Sequence, residues 1–102
     1  MFLDHEDDAV GAAGEVHQAI FENDKIRVLK VIMPPGHKTL AHWHPKNMGY
    51  VVTAGKLRFT LPTGEIRDAD LAKGQVTSGE GSHSVQNIGD TEVEVLQVEF
   101  KS

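Results

Sequence analysis

Residues 34–55 read PPGHKTLAHWHPKNMGYVVTAG. Pro34-Pro35-Gly36 ends any strand before it, because proline cannot donate to a ladder and glycine accepts positive φ. His42 and His44 then stand one residue apart. In an extended strand such residues point to the same face. Two imidazoles therefore sit side by side at a strand's start, as a chelate requires, and Trp43 points the other way. Neutral imidazole is a common ligand for Zn, Fe, Ni and Cu. A single His-x-His pair on a strand is also often plain surface, so the pair needs support from its surroundings.

Working outward, the chain reads as short strands divided by turn signals. Residues 16–21 form a weak strand, and Glu22-Asn23-Asp24 a turn. Residues 25–33 are rich in Ile and Val. Residues 48–53 and 56–61 flank Ala54-Gly55, which reads as a hairpin. Leu57, Phe59 and Leu61 alternate with Arg58 and Thr60, as on a strand with one buried face. Pro62-Thr63-Gly64 turns the chain so that residues 65–71 pair back, and Lys73-Gly74 turns it again. Residues 82–88 and 91–100 flank Gly89-Asp90, a second hairpin signal. Glycine or proline recurs too often for a helical period. Short strands at regular spacing predict an all-β sandwich or barrel.

Gly81-Ser82-His83 opens one of these strands, and His83 stands 39 positions after His44. In a closed barrel such a residue can return to face the first pair. The whole pattern resembles the cupin superfamily. Its first motif is Gly, five residues, His-x-His, three or four residues, Glu, six residues, Gly. Here Gly36, His42-Trp43-His44, Met48 and Gly55 satisfy every spacing. The second motif is matched more loosely by Gly74, Gly81, His83 and Asn87, with Ser78 and Glu80 where proline and glycine are usual. The resemblance spans residues 25–100. It implies a double-stranded β-helix, or jelly-roll barrel, with His42, His44 and His83 as ligands of one divalent transition metal: Fe, Zn, Ni, Mn or Cu.

The family's glutamate ligand falls on Met48. A thioether is a poor partner for hard ions such as Mn. Met48 thus leaves either an open coordination position or a site that has lost its metal. Tyr50 and Val52 share parity with Met48, so Met48 and Tyr50 are the expected substrate-contacting residues. Gln86 and Gln97 are further polar candidates. His37 reads as a solvated loop residue, and His5 and His17 have no chemical context.

The chain has 102 residues, no cysteine and a formal net charge of −5. The length fits one domain. Thiolate metal sites, disulfides and a cysteine nucleophile are excluded, and the cysteine count is compatible with the cytoplasm, the expected location. Residues 1–15 carry the whole excess charge, through Asp4, Glu6, Asp7, Asp8 and Glu15. They read as a flexible, solvated acidic arm ahead of a barrel at residues 16–102, or as an arm that docks on a partner subunit. The remaining charges balance without a basic stripe, which argues against nucleic acid. No apolar run reaches membrane-spanning length, and no signal peptide is legible.

These readings favour a small mononuclear metal-binding protein that binds or transforms a small organic molecule, in a dioxygenase-like or catabolic role implied by the resemblance alone. The alternative is a non-enzymatic small-ligand binder, or a structural dimer with a degraded site. A homodimer is expected, because so small a core gains from association and Trp43 and Val51 are placed outside the barrel.

Overall fold

The computed structural model describes residues 5–101; residues 1–4, Asp4 of the acidic stretch among them, lie outside it. A four-residue helix, α1 (Ala9–Ala12), precedes seven strands: β1 (His17–Glu22), β2 (Ile26–Met33), β3 (His42–Thr53), β4 (Gly55–Thr60), β5 (Ile66–Leu71), β6 (Val76–Asn87) and β7 (Val93–Phe100). All seven join in the order β1-β2-β7-β3-β6-β4-β5, and every pair is antiparallel. The all-β reading from turn signals therefore holds.

Two of the expected hairpins do not form. β3 pairs with β6 and β7, whereas β4 pairs with β5 and β6. Ala54-Gly55 thus carries the chain across from one side of the barrel to the other. A side chain at Gly55 would collide with the Cγ2 of Val93, so the crossing needs glycine. Gly89-Asp90 likewise joins strands that are not neighbours. A glycine turn marks a reversal but does not say which strand receives the next one. The β1–β2 and β4–β5 reversals are true hairpins.

β6 belongs to both sides. Residues 76–83 pair with β3, and residues 84–87 pair with β4. Strand β3 carries a bulge: His44 lies opposite Gly81, but Asn47 lies opposite Gly79. Three steps on β3 match two on β6, so one residue is extra and the inward parity shifts. His42 and His44 face in before the bulge, and Asn47, Gly49 and Val51 face in after it. Pro45, which has no N–H to give, sits within this irregular stretch.

The apolar core draws one residue from each of β2 to β7, where Met33, Val51, Leu57, Leu71, Val85 and Val93 pack together. Burial of each such side chain contributes about 1.5–3 kcal/mol. Ala13 and Val16 extend the core from the N-terminal segment.

That segment is not the solvated tail its charge suggests. Over the described residues it docks on the barrel. The Trp43 amide donates to the Asp7 carbonyl, and Ala9 and Ala13 are fully buried. Asp8 caps α1 through the Val10 amide and also receives two hydrogen bonds from Arg27. A run of carboxylates looks repulsive in sequence, but one of them answers a buried cation. Val51 faces the core, and Trp43 stacks on His5 with ring centroids 4.4 Å apart. Val51 therefore departs from the outward placement expected for a dimer, whereas Trp43 keeps the parity opposite to His42 and His44 and is covered in part by His5.

Candidate metal centre

Four imidazoles meet at the polar end of the barrel. His42 and His44 come from β3, His83 from β6 and His17 from the first position of β1. His42 and His83 are directly opposite each other in the β3–β6 ladder. Their ring centroids are 4.9 Å apart, and His44 lies 5.0 Å from His42 and 5.4 Å from His83. The three histidines singled out from sequence thus come together. His17, which had no visible role, lies 4.8 Å from His42 and 5.1 Å from His44 by the same measure. The donor atoms of His17, His42 and His44 all lie within 4.8 Å of one another, and this trio, which does not include His83, could hold a metal ion.

Three of the rings are oriented from behind. The Nδ1–H of His17 donates to the Ala13 carbonyl at 2.9 Å, and that of His42 to the Leu40 carbonyl at 2.9 Å. The Nδ1–H of His44 donates to Glu99 at 2.7 Å. Each bond fixes the proton on Nδ1 and leaves the lone pair on Nε2, the arrangement that partners of metal-binding histidines impose. The Nε2 of His42 is fully buried without a hydrogen-bond partner among the described residues. An orphaned buried acceptor is costly, and a metal ion would satisfy it. The residues therefore fit such an ion.

Electrostatics keep the rings neutral. Burial pushes His17 down to about 4, with the nearby His44 and His42 adding to the effect. Burial and the same two neighbours push His83 down to about 3. Burial lowers His42 and His44 as well. Neutral rings at pH 7 have lone pairs free for a metal.

Behind His44 runs a dry chain of charges. Glu99 takes a hydrogen bond from the Arg27 Nε at 2.6 Å, and Arg27 grips Asp8 with two more at 2.8 and 3.0 Å. Glu99 is fully buried and the Arg27 side chain is 4% exposed. Burial pushes the Glu99 carboxyl up, and Arg27 opposes the shift.

The imidazoles line a cavity of about 390 Å³, within the usual range for a small-molecule site. Leu57, Phe59 and Val95 supply apolar wall, while Asn47 and Gln97 supply polar wall. Gln97 donates to the Asn47 side-chain oxygen at 3.1 Å. Of the sequence candidates, Gln97 is in the cavity, and Met48 and Tyr50 are not. Met48 is 45% exposed and Tyr50 50%, on the outer face. The bulge at residues 45–46 reversed their parity, which an alternation count from His44 does not register. His37 bonds Glu15 at the surface. Only the proximity of His17 in space reveals it, because its strand carries no motif.

The architecture matches known proteins. A cupin domain from Bordetella pertussis Tohama I is 28% identical, with a TM-score of 0.78 over 85% of this chain and 93% of that one. A double-stranded β-helix protein from Klebsiella pneumoniae is 17% identical, with a TM-score of 0.69 over 84% and 71%. An RmlC-like cupin from Methanocaldococcus jannaschii is 16% identical, with a TM-score of 0.67 over 83% and 78%. No protein-family model and no curated protein matches the sequence. This chain has the cupin fold, a double-stranded β-helix, with a cluster of buried histidines that could bind metal.

Proposed function

We propose that this cupin holds one divalent transition metal through His42, His44 and His83, and that a small organic molecule binds beside it in the cavity. The observation that carries this reading is the buried, unpartnered Nε2 of His42 amid rings whose Nδ1 protons are already committed. A bound ion would supply Lewis acidity toward a ligand oxygen. Gln97, held by the Asn47 side-chain oxygen, offers its remaining hydrogen-bonding groups to orient the ligand. Leu57, Phe59 and Val95 exclude water from its apolar part. The protein is proposed to work in the cytoplasm, without nucleic acid or membrane. Among the described residues no helix is long and apolar enough to cross a bilayer.

Protein purified without chelators or added metal is expected to carry close to one metal per chain. His83 joins the β3 pair only in the closed barrel, so metal favours the native state. At a hundredfold excess over its dissociation constant that gain is up to about 2.7 kcal/mol. The thermal shift on adding Zn, Ni or Fe(II) should shrink in His83→Ala. An equal shift in both proteins would remove His83 from the site. Dioxygen uptake screened over thiols, diketones and hydroxy acids separates an enzyme from a binder. We also propose a homodimer through the outer face of β3 and β6, where Met48, Tyr50 and Val76 are exposed. Sedimentation as a monomer at micromolar concentration refutes it.

A further inference from the structure

We infer that His17 is a fourth metal ligand, supplied by β1, so that the complete donor set is four imidazoles instead of three and a carboxylate. This rests on the metal-binding reading above. His17 is 5% exposed, and the hydrogen bond its side chain makes among the described residues, to the Ala13 carbonyl, uses Nδ1. Its Nε2 lone pair is left for the centre, as in His42 and His44. The donor atoms of these three already lie within 4.8 Å of one another.

Among the described residues no carboxylate belongs to the donor group within 4.8 Å, although Glu80 lines the same cavity. After the bulge, the first inward residue of β3 is Asn47, whose amide nitrogen donates to the Pro45 and Gly79 carbonyls and whose oxygen accepts from Gln97. Glu99 is engaged by Arg27 and His44. Nitrogen donors from β1 and β3 therefore make up the clustered set among the described residues. An all-imidazole set suits Zn, Ni, Cu or Fe, whereas Mn and Mg prefer oxygen. A core histidine that merely packs would need neither the convergence on His42 and His44 nor the free Nε2.

The test is calorimetric titration of the full-length, chelator-treated protein with Zn(II), Ni(II) and Mn(II), compared with His17→Ala and His17→Gln. Circular dichroism establishes that each variant is folded, and His17→Gln keeps most of the buried volume should His17→Ala fail. Wild type is expected to bind Zn or Ni at one per chain and Mn at least about a hundredfold more weakly. Each folded variant should lose about tenfold or more in Zn affinity, and free imidazole should restore part of it in His17→Ala. With Cu(II), nitrogen hyperfine splitting should report one fewer nitrogen in the variants. Variants that bind Zn within twofold of wild type would overturn the role of His17 while leaving the other three ligands standing. Equal Mn and Zn affinity would overturn the all-imidazole set. A wild type that binds none of the three metals would overturn the metal-binding reading, and this assignment with it.

Discussion

Arg27 and Arg58 each grip a carboxylate with two N–H groups at nearly the same distances. Arg27 holds Asp8 at 2.8 and 3.0 Å, and Arg58 holds Asp68 at 2.8 and 3.0 Å. Their settings differ. The Arg58 and Asp68 side chains are 41% and 49% exposed on the β4–β5 hairpin, whereas Arg27 and its second partner Glu99 are sealed from water. In water each charge is solvated whether or not it is paired, so such a bridge adds little. In a dry interior, losing one partner strands the other. The Arg58–Asp68 bridge on the hairpin therefore adds little to the fold. The side beneath the histidines is held by a charge chain that ends on His44.

The sharpest way to break that contrast is Glu99→Ala. It would leave Arg27 short of one carboxylate and the His44 Nδ1–H without an acceptor. Removing one member of a buried ion pair costs about 3–5 kcal/mol. Urea denaturation should show a loss of that order, while Arg58→Ala should leave the midpoint near that of wild type. Equal losses in the two variants would show that the charge chain is no more than a surface network folded inward.

A smaller loss is expected from Asp8→Ala. Arg27 would keep Glu99 but lose two hydrogen bonds, and α1 would lose its cap. Leaving buried donors unsatisfied costs about 1–3 kcal/mol. Deleting residues 1–12 should cost at least as much, because Ala9 is lost with Asp8. A truncated protein with an unchanged denaturation midpoint would mean that the N-terminal segment is the dispensable arm its composition suggests.

Acid should probe the same end of the barrel. In the unfolded chain the histidines titrate near 6.5, while in the folded apoprotein burial holds His17 near 4 and His83 near 3. Between those values the unfolded chain binds more protons than the native one. Stability therefore rises with pH across this window, is complete above about 6.5 and is lost as pH falls toward 3. Each such group contributes up to about 1.4 kcal/mol per pH unit within its own window. Urea midpoints of metal-free protein from pH 7 to pH 4 check this. A flat profile would mean that the imidazoles are reached by water and do not share a dry cluster.

Much of this was legible in the sequence because it followed from local rules. Alternation in Leu57–Leu61 and the glycine turns gave an all-β chain, and the one-residue spacing placed His42 and His44 on one face. His83 was found because its glycine-rich surroundings resembled a second motif. What was missed is non-local. Pairing of β3 with β7 instead of β4 depends on the whole barrel, so Ala54-Gly55 passed for a hairpin. The partnership of Asp8 with Arg27 and the arrival of His17 beside His42 join residues that no periodicity connects. A single extra residue at Pro45-Lys46 inverted every later assignment on β3, which turned Met48 and Tyr50 from pocket residues into surface ones.

That inversion makes the smallest expected effect an informative one. If alternation ran unbroken from His44, Met48 would face the imidazoles, and Met48→Glu would give Mn an oxygen ligand and tighten its binding. In the bulged strand Met48 lies between Ser78 of β6 and Val98 of β7 with its side chain on the outer face. A glutamate there would be solvated, and the two sheet neighbours would hold the backbone in place. Mn and Zn affinities should be the same in Met48→Glu and wild type by calorimetry, and the thermal midpoint should move by no more than an ordinary surface substitution allows, about 0.5 kcal/mol. A marked gain in Mn affinity would mean that the strand slips by one residue when metal binds. It would restore the unbroken alternation and return Met48, in place of Asn47, to the inner face.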